Sequence, residues 1–98
     1  MPLLPLLIGD PAGVPEAQIV IEGTSKNGLL EWLSVTASGA TAVWVTVKNG
    51  GVSGDIRFQG RVPANDTRYF DFKNLPLDCQ AGIRVELDES ALVFWGAR

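Results

Sequence analysis

Histidine is absent from this 98-residue chain, and Cys79 is its one cysteine. Those two facts remove most side-chain chemistry. There is no imidazole base, no Ser-His or Cys-His pair, and the commonest metal ligand is missing. One thiol cannot complete a tetrahedral zinc site. Beside Leu77, with no base near it in sequence, Cys79 reads as a small apolar filler and not as a nucleophile. The carboxylates Asp71, Asp78, Glu86, Asp88 and Glu89 fall on outward strand positions or in turns. Any two could meet as an acid–base pair, but solvation accounts for them. Asp88-Glu89 has neither the spacing nor the glycine of a calcium loop. The eleven glycines form no dinucleotide or phosphate-binding pattern and read as turn residues. Asn65-Asp66-Thr67 matches the N-glycan acceptor pattern, and also reads as a turn. The chain is expected to be non-enzymatic, with no cofactor and no metal.

What remains is contact chemistry. In the alternation described below, Trp32 and Trp44 share the polar-phase face of neighbouring strands. A turn at residues 38–40 would bring them diagonally close. Such a pair suits an oligomer interface, a face covered by the chain's own arm, or a platform for stacking a sugar. Trp95 lies in the last strand and is expected to pack inside the domain.

Residues 1–17 form the second candidate surface. Four of the six prolines are there, at positions 2, 5, 11 and 15. Proline fixes φ and removes a donor, so the segment should be extended and stay out of a central ladder. It also holds Leu3, Leu4, Leu6, Leu7 and Ile8, each worth roughly 1.5–3 kcal/mol if fully buried. The arm is expected either to fold back over its own sandwich edge or to dock on a neighbouring subunit. It lacks the positive charge of a signal peptide, and the apolar run from Leu3 to Ile8 is too short to span a bilayer as a helix. A soluble, unanchored chain in a reducing cytoplasm is expected.

The elements that would position these surfaces alternate with period two. Val43, Val45 and Val47 share a face opposite Ala42, Trp44, Thr46 and Lys48. Asn49-Gly50-Gly51 then turns the chain into Asp55–Gln59, with Ile56 and Phe58 on the apolar side, which predicts a hairpin. Gln18–Glu22 is a short strand. Leu29–Ala37 puts Leu33, Val35 and Ala37 on one face, and Leu30, Trp32, Ser34 and Thr36 on the other. Arg68–Lys73 turns Phe70 and Phe72 inward, with Tyr69 and Asp71 outward. Residues 74–81 read as a loop anchored by Leu75 and Leu77. Ile83, Val85 and Leu87 alternate cleanly, and Ala91–Trp95 closes the chain. About seven strands with no 3.6-residue pattern predict an all-β, single antiparallel β-sandwich, jelly-roll or immunoglobulin-like, over residues 18–98. Ninety-eight residues make one domain. A net charge of -3 and scattered basic residues argue against a nucleic-acid partner.

From about Gly28 onward the layout resembles small β-sandwich virion proteins of tailed bacteriophages, particularly head decoration and head-fibre-like proteins. The residues that carry it are the SGATAVWVTVKNGG hairpin, the VPANDTRYFDF passage into a strand, and GIRVELD followed by ALVFW. The arm at 1–17 and the LPLDCQ segment depart from that pattern. The resemblance implies a capsid decoration or cement protein that binds the major capsid protein or another virion protein on the capsid surface. It also implies a symmetric homo-oligomer, a trimer being favoured. A tail, connector or fibre component and a carbohydrate-binding module are the alternatives. The expected interface residues are Leu3, Leu4, Leu6, Leu7, Ile8, Trp32 and Trp44.

Overall fold

A computed structural model describes residues 19–98; the arm, with Leu3, Leu4, Leu6, Leu7 and Ile8, lies outside the described residues. The strands are β1 (Ile19–Gly23), β2 (Leu29–Ala37), β3 (Val43–Asn49), β4 (Asp55–Val62), β5 (Asp66–Asp71), β6 (Leu77–Asp78), β7 (Ile83–Leu87) and β8 (Leu92–Ala97). They form two antiparallel sheets packed as a sandwich. One, the β3 sheet, has the order β1-β7-β3-β4; in the other, the β2 sheet, β2 pairs with β5, β6 and β8.

β2 beside β5, and β4-β3-β7 in a row, are the neighbours that strands B, E, C′, C and F have in an immunoglobulin sandwich. The outermost strands are exchanged relative to that fold. β1 lies beside β7, where the last strand would stand, and β8 lies beside β2, where the first would stand. The sandwich expectation holds, with eight strands in place of about seven.

The core follows the alternation. Leu33, Val35 and Ala37 of β2, Val43, Val45 and Val47 of β3, and Ile83, Val85 and Leu87 of β7 are buried between the sheets. Each lies on the apolar phase of a period-two strand, and burial of that phase is the main force that sets the register. Phe58, Phe70, Phe72 and Trp95 pack against this cluster from the strands' inner faces. The Phe58 ring stands 4.8 Å from Phe70, tilted against it, and 5.1 Å from Phe72, edge-on.

Three expectations are corrected. Leu30 was assigned to the outward phase with Trp32 but is completely buried, because a bulge between Leu30 and Trp32 shifts the pairing with β8 and reverses the phase. Residues 74–81 contain the short strand β6; Leu77 does anchor it, whereas Leu75 is 82% exposed and anchors nothing. Ile56 was placed on the apolar side with Phe58, but a bulge reverses the phase and sets it opposite Lys48 on the outer face, beyond Gln59, whose Nε2 donates to Thr46 Oγ1 at 3.3 Å.

That bulge interrupts the β3–β4 hairpin. Val47 pairs with Phe58 and Lys48 with Ile56, which leaves Arg57 as the extra residue. Its Nε donates to the Asp78 carbonyl at 2.8 Å, so a side chain freed by the bulge ties the edge of the β3 sheet to β6. Cys79 is buried and free, and burial pushes its thiol above the ordinary value. It is therefore expected to react with a neutral thiol reagent at least about tenfold more slowly in the native protein than in urea, measurable by timed alkylation and mass spectrometry.

Candidate functional site

The two outer faces of the sandwich differ in kind. On the β3 sheet, the register sets Val20, Glu86, Thr46 and Gln59 in one row and Glu22, Arg84 and Lys48 in the next. Opposite charges therefore meet across strands. Arg84 Nε donates to Glu86 Oε2 at 2.6 Å, and Arg84 Nη1 to Glu22 Oε2 at 3.0 Å. Lys48 Nζ lies 3.1 Å from Glu86 Oε2. At the end of the face Trp44 stands opposite Arg61, whose guanidinium is 6.0 Å from the indole centre, and the Trp44 N–H donates to Asp88 Oδ1 at 2.7 Å. The face is polar and internally paired.

Desolvation pushes the Glu86 carboxyl up, but the hydrogen bonds from Arg84 and Lys48 outweigh it and hold the group below its ordinary value of 4.5. On unfolding the carboxyl regains that value, so the unfolded chain takes up the proton first. The stabilisation is complete above pH 4.5 and is lost as pH falls through the lower folded value. Glu86→Gln should flatten the acid limb of a plot of Tm against pH, and thermal melts between pH 7 and 3 check it.

The outer face of the β2 sheet is the reverse. Three rows cross it: Leu92–Thr36–Thr67, Phe94–Ser34–Tyr69 and Gly96–Trp32–Asp71. The inward phase of β8, Val93, Trp95 and Ala97, packs on the core. This leaves Leu92 and Phe94 outward, 55% and 57% exposed, beside Tyr69 at 53%. Trp32 and Tyr69 are diagonal neighbours across β2 and β5, and their rings stack with centroids 5.8 Å apart at 26°. Gly96 makes the stack possible. A Cβ there would overlap the Trp32 indole, so the missing side chain lets the ring lie flat on β8. Lys73 Nζ sits 5.8 Å from the Tyr69 ring centre, within range of a cation–π contact. The Thr36 and Thr67 hydroxyls bond each other at 2.8 Å.

The expected pairing of Trp32 with Trp44 is overturned. β2 and β3 are not neighbours: residues 38–42 cross between sheets and do not form a hairpin, so the two indoles lie on opposite outer faces. Trp32's companions are Tyr69, Phe94 and Leu92, which sequence reasoning did not assign to the site. The outward phase of Tyr69 was visible, but the terminal strand is apolar on both phases, and neither its outward residues nor the pairing that joins them to Trp32 could be read from the pattern. Trp95 packs inside, as expected.

Two open clefts lie among the described residues. One of about 400 Å³ is lined by Glu22, Gly50 and Gly82 among others, and its ionisable group is already bound to Arg84. The other, about 580 Å³, is lined by Ser25, Lys26, Asn27 and Gln80. Among the described residues no three His, Cys, Asp or Glu side chains group to hold a metal ion. No described helix is long and apolar enough to cross a membrane. The chain matches no protein-family model, no curated protein and no solved structure.

Proposed function

We propose that this chain is a non-enzymatic structural protein whose working surface is the outer face of the β2 sheet, where it is held against another protein. One observation carries the reading. Of the two outer faces, one is tied up in ion pairs and the other presents Trp32, Tyr69, Leu92 and Phe94 around small polar residues. Contiguous exposed apolar groups of this kind mark interaction sites, and buried tyrosine and tryptophan anchors supply much of the binding energy at such contacts. Trp44, on the ion-paired face, is the weaker candidate of the two expected tryptophans.

The sequence resemblance to phage head decoration proteins makes the setting a capsid: copies reinforce the shell by binding the major capsid protein, as a homo-oligomer. The test is addition of purified full chain to heads assembled from a tailed-phage major capsid protein of the same source. Co-sedimentation at a fixed copy number, lost in Tyr69→Ser/Phe94→Ser, supports the reading. No co-sedimentation at micromolar protein contradicts it. A glycan platform is the second reading, favoured by the stacked Trp32–Tyr69 rings beside the Ser34, Thr36 and Thr67 hydroxyls. Tryptophan fluorescence titrated with a glycan panel separates the two; a saturable change identifies a sugar site.

A further inference from the structure

We infer that β8 is an open sheet edge on which a second copy of this chain pairs its own β8, antiparallel about a two-fold axis, so that the β2 sheets of two molecules run on as one. The contact is made by the edge of the sheet. It goes beyond the reading of the outer face, which stays open to another protein in each copy.

The first support is the state of the edges. β1, β4, β5 and β8 are the outer strands of the two sheets. Such strands present unpaired N–H and C=O groups, and charges, prolines, bulges or short length keep other chains off them. β4 carries Asp55, Arg57 and Arg61 and is broken by its bulge at Arg57. β5 carries Asp66, Arg68 and Asp71, and β1 is a five-residue strand containing Glu22. β8, Leu92-Val93-Phe94-Trp95-Gly96-Ala97, has neither charge nor proline. Among the described residues nothing pairs with it on the side away from β2. Its inward residues Val93, Trp95 and Ala97 are only partly buried, whereas Leu33 and Val35 on neighbouring β2 are completely buried. That is the mark of an uncovered edge.

The second support is which backbone groups are free. The Leu29 N–H donates to the Arg98 carbonyl at 3.1 Å, and the Arg98 N–H to the Leu29 carbonyl at 3.0 Å. Along an antiparallel strand, residues that bond a given neighbour alternate with residues that do not. The register steps from Leu30 to Trp32 on β2 while β8 steps from Ala97 to Gly96, so the extra residue belongs to β2 and β8 keeps its alternation. Gly96, Phe94 and Leu92 therefore turn their N–H and C=O toward β2. Ala97, Trp95 and Val93 turn theirs to the free edge.

The third support is the fit of this edge to itself. A two-fold axis through Trp95 joins all the free residues, Val93 with Ala97 of the second copy and Trp95 with Trp95. The same register sets Phe94 opposite Gly96 of the second copy, twice by symmetry. Each ring then lies over a position without a side chain, a favourable cross-strand pair in a sheet. Phe94 thus serves both the edge and the face. On the inner side the Trp95 ring is drawn under β1, where a Cβ on Gly23 would come 2.7 Å from it, and so leaves the axis clear. A patch that meets itself in this way closes at two copies, where the resemblance to decoration proteins implies three.

The test is amide hydrogen exchange of the full chain, followed residue by residue by NMR, beside its mass by light scattering. A dimer is expected in which the Val93, Trp95 and Ala97 amides exchange at least about 100-fold more slowly than in an unstructured peptide, and faster on dilution. If those amides exchange freely while Phe94 and Gly96 stay protected, edge pairing is overturned; a defined oligomer would then leave the outer face standing as a protein contact. Protection of the same amides in a monomer would place residues of the same chain on the edge, and overturns the proposal as well. The register has its own test. Leu92 and Arg98 of the second copy would form a non-hydrogen-bonded pair with Cα atoms about 4.5 Å apart, within disulfide reach. Leu92→Cys and Arg98→Cys chains, mixed and mildly oxidised, should give a mixed disulfide dimer at a yield at least about tenfold above that of either form alone. Cys79 is buried and does not compete. Equal yields would overturn the axis through Trp95.

Discussion

Gly28→Ala is expected to destabilise the protein by about 3 kcal/mol, from roughly 1–2 kcal/mol of left-handed backbone strain and a similar cost of overpacking. Gly28 has φ 65, which L side chains rarely adopt. An added Cβ would also lie 2.5 Å from Gln80 Cα and 2.9 Å from Gln80 N. Both are backbone atoms and cannot rotate away. The segment cannot retreat cheaply either, because the Cys79 N–H donates to the Gly28 carbonyl at 2.7 Å and Cys79 is set in the core. For a domain of this size the loss corresponds to a melting temperature lower by roughly 10–20 °C. Gly39→Ala is the control. Nothing lies within 4 Å of its added Cβ, and its melting temperature should match that of the unsubstituted chain.

Leu33→Ala should cost about 2–5 kcal/mol in urea unfolding, with little change in the denaturant slope. Leu33 is completely buried at the centre of β2, between its pairings with Phe70 and Trp95. Truncating it removes transfer free energy and leaves a cavity that two pinned neighbours cannot fill. Leu92→Ser makes the matching test on the outer face. Its side chain is 55% exposed, so the folding free energy of the chain should change by no more than about 0.5 kcal/mol. A large loss at Leu92 would mean that the face is covered within the folded chain itself.

Much of the architecture was legible because strict alternation has one physical cause. Val43-Trp44-Val45 and Ile83-Arg84-Val85 can bury one phase only, and both did so on the expected side. The inward Phe70 and Phe72 and the outward Tyr69 followed the same rule. Leu30 broke it, since a bulge adds one residue and exchanges the faces while leaving no mark on the apolar pattern. Trp32 and Trp44 failed for a different reason. Alternation tells which face a residue takes, but Ser38-Gly39-Ala40 can serve a hairpin or a crossover equally well. Here it crosses, held beside the β4–β5 turn by the Asn65 N–H to the Gly39 carbonyl at 3.2 Å. The candidate site therefore depended on non-local pairing of β2 with β5 and β8, which links residues such as Ser34 and Tyr69, or Ser34 and Phe94, that lie far apart in the chain. The lack of histidine, by contrast, limits the chemistry whatever the pairing.

The most direct test of the central claim, that the outer face of the β2 sheet is a protein contact, is absolute mass in solution. Light scattering on a sizing column would compare the full chain with Tyr69→Ser/Phe94→Ser, circular dichroism showing that both are folded. A defined oligomer is expected for the full chain and a monomer for the variant. Equal masses for the two proteins would contradict it.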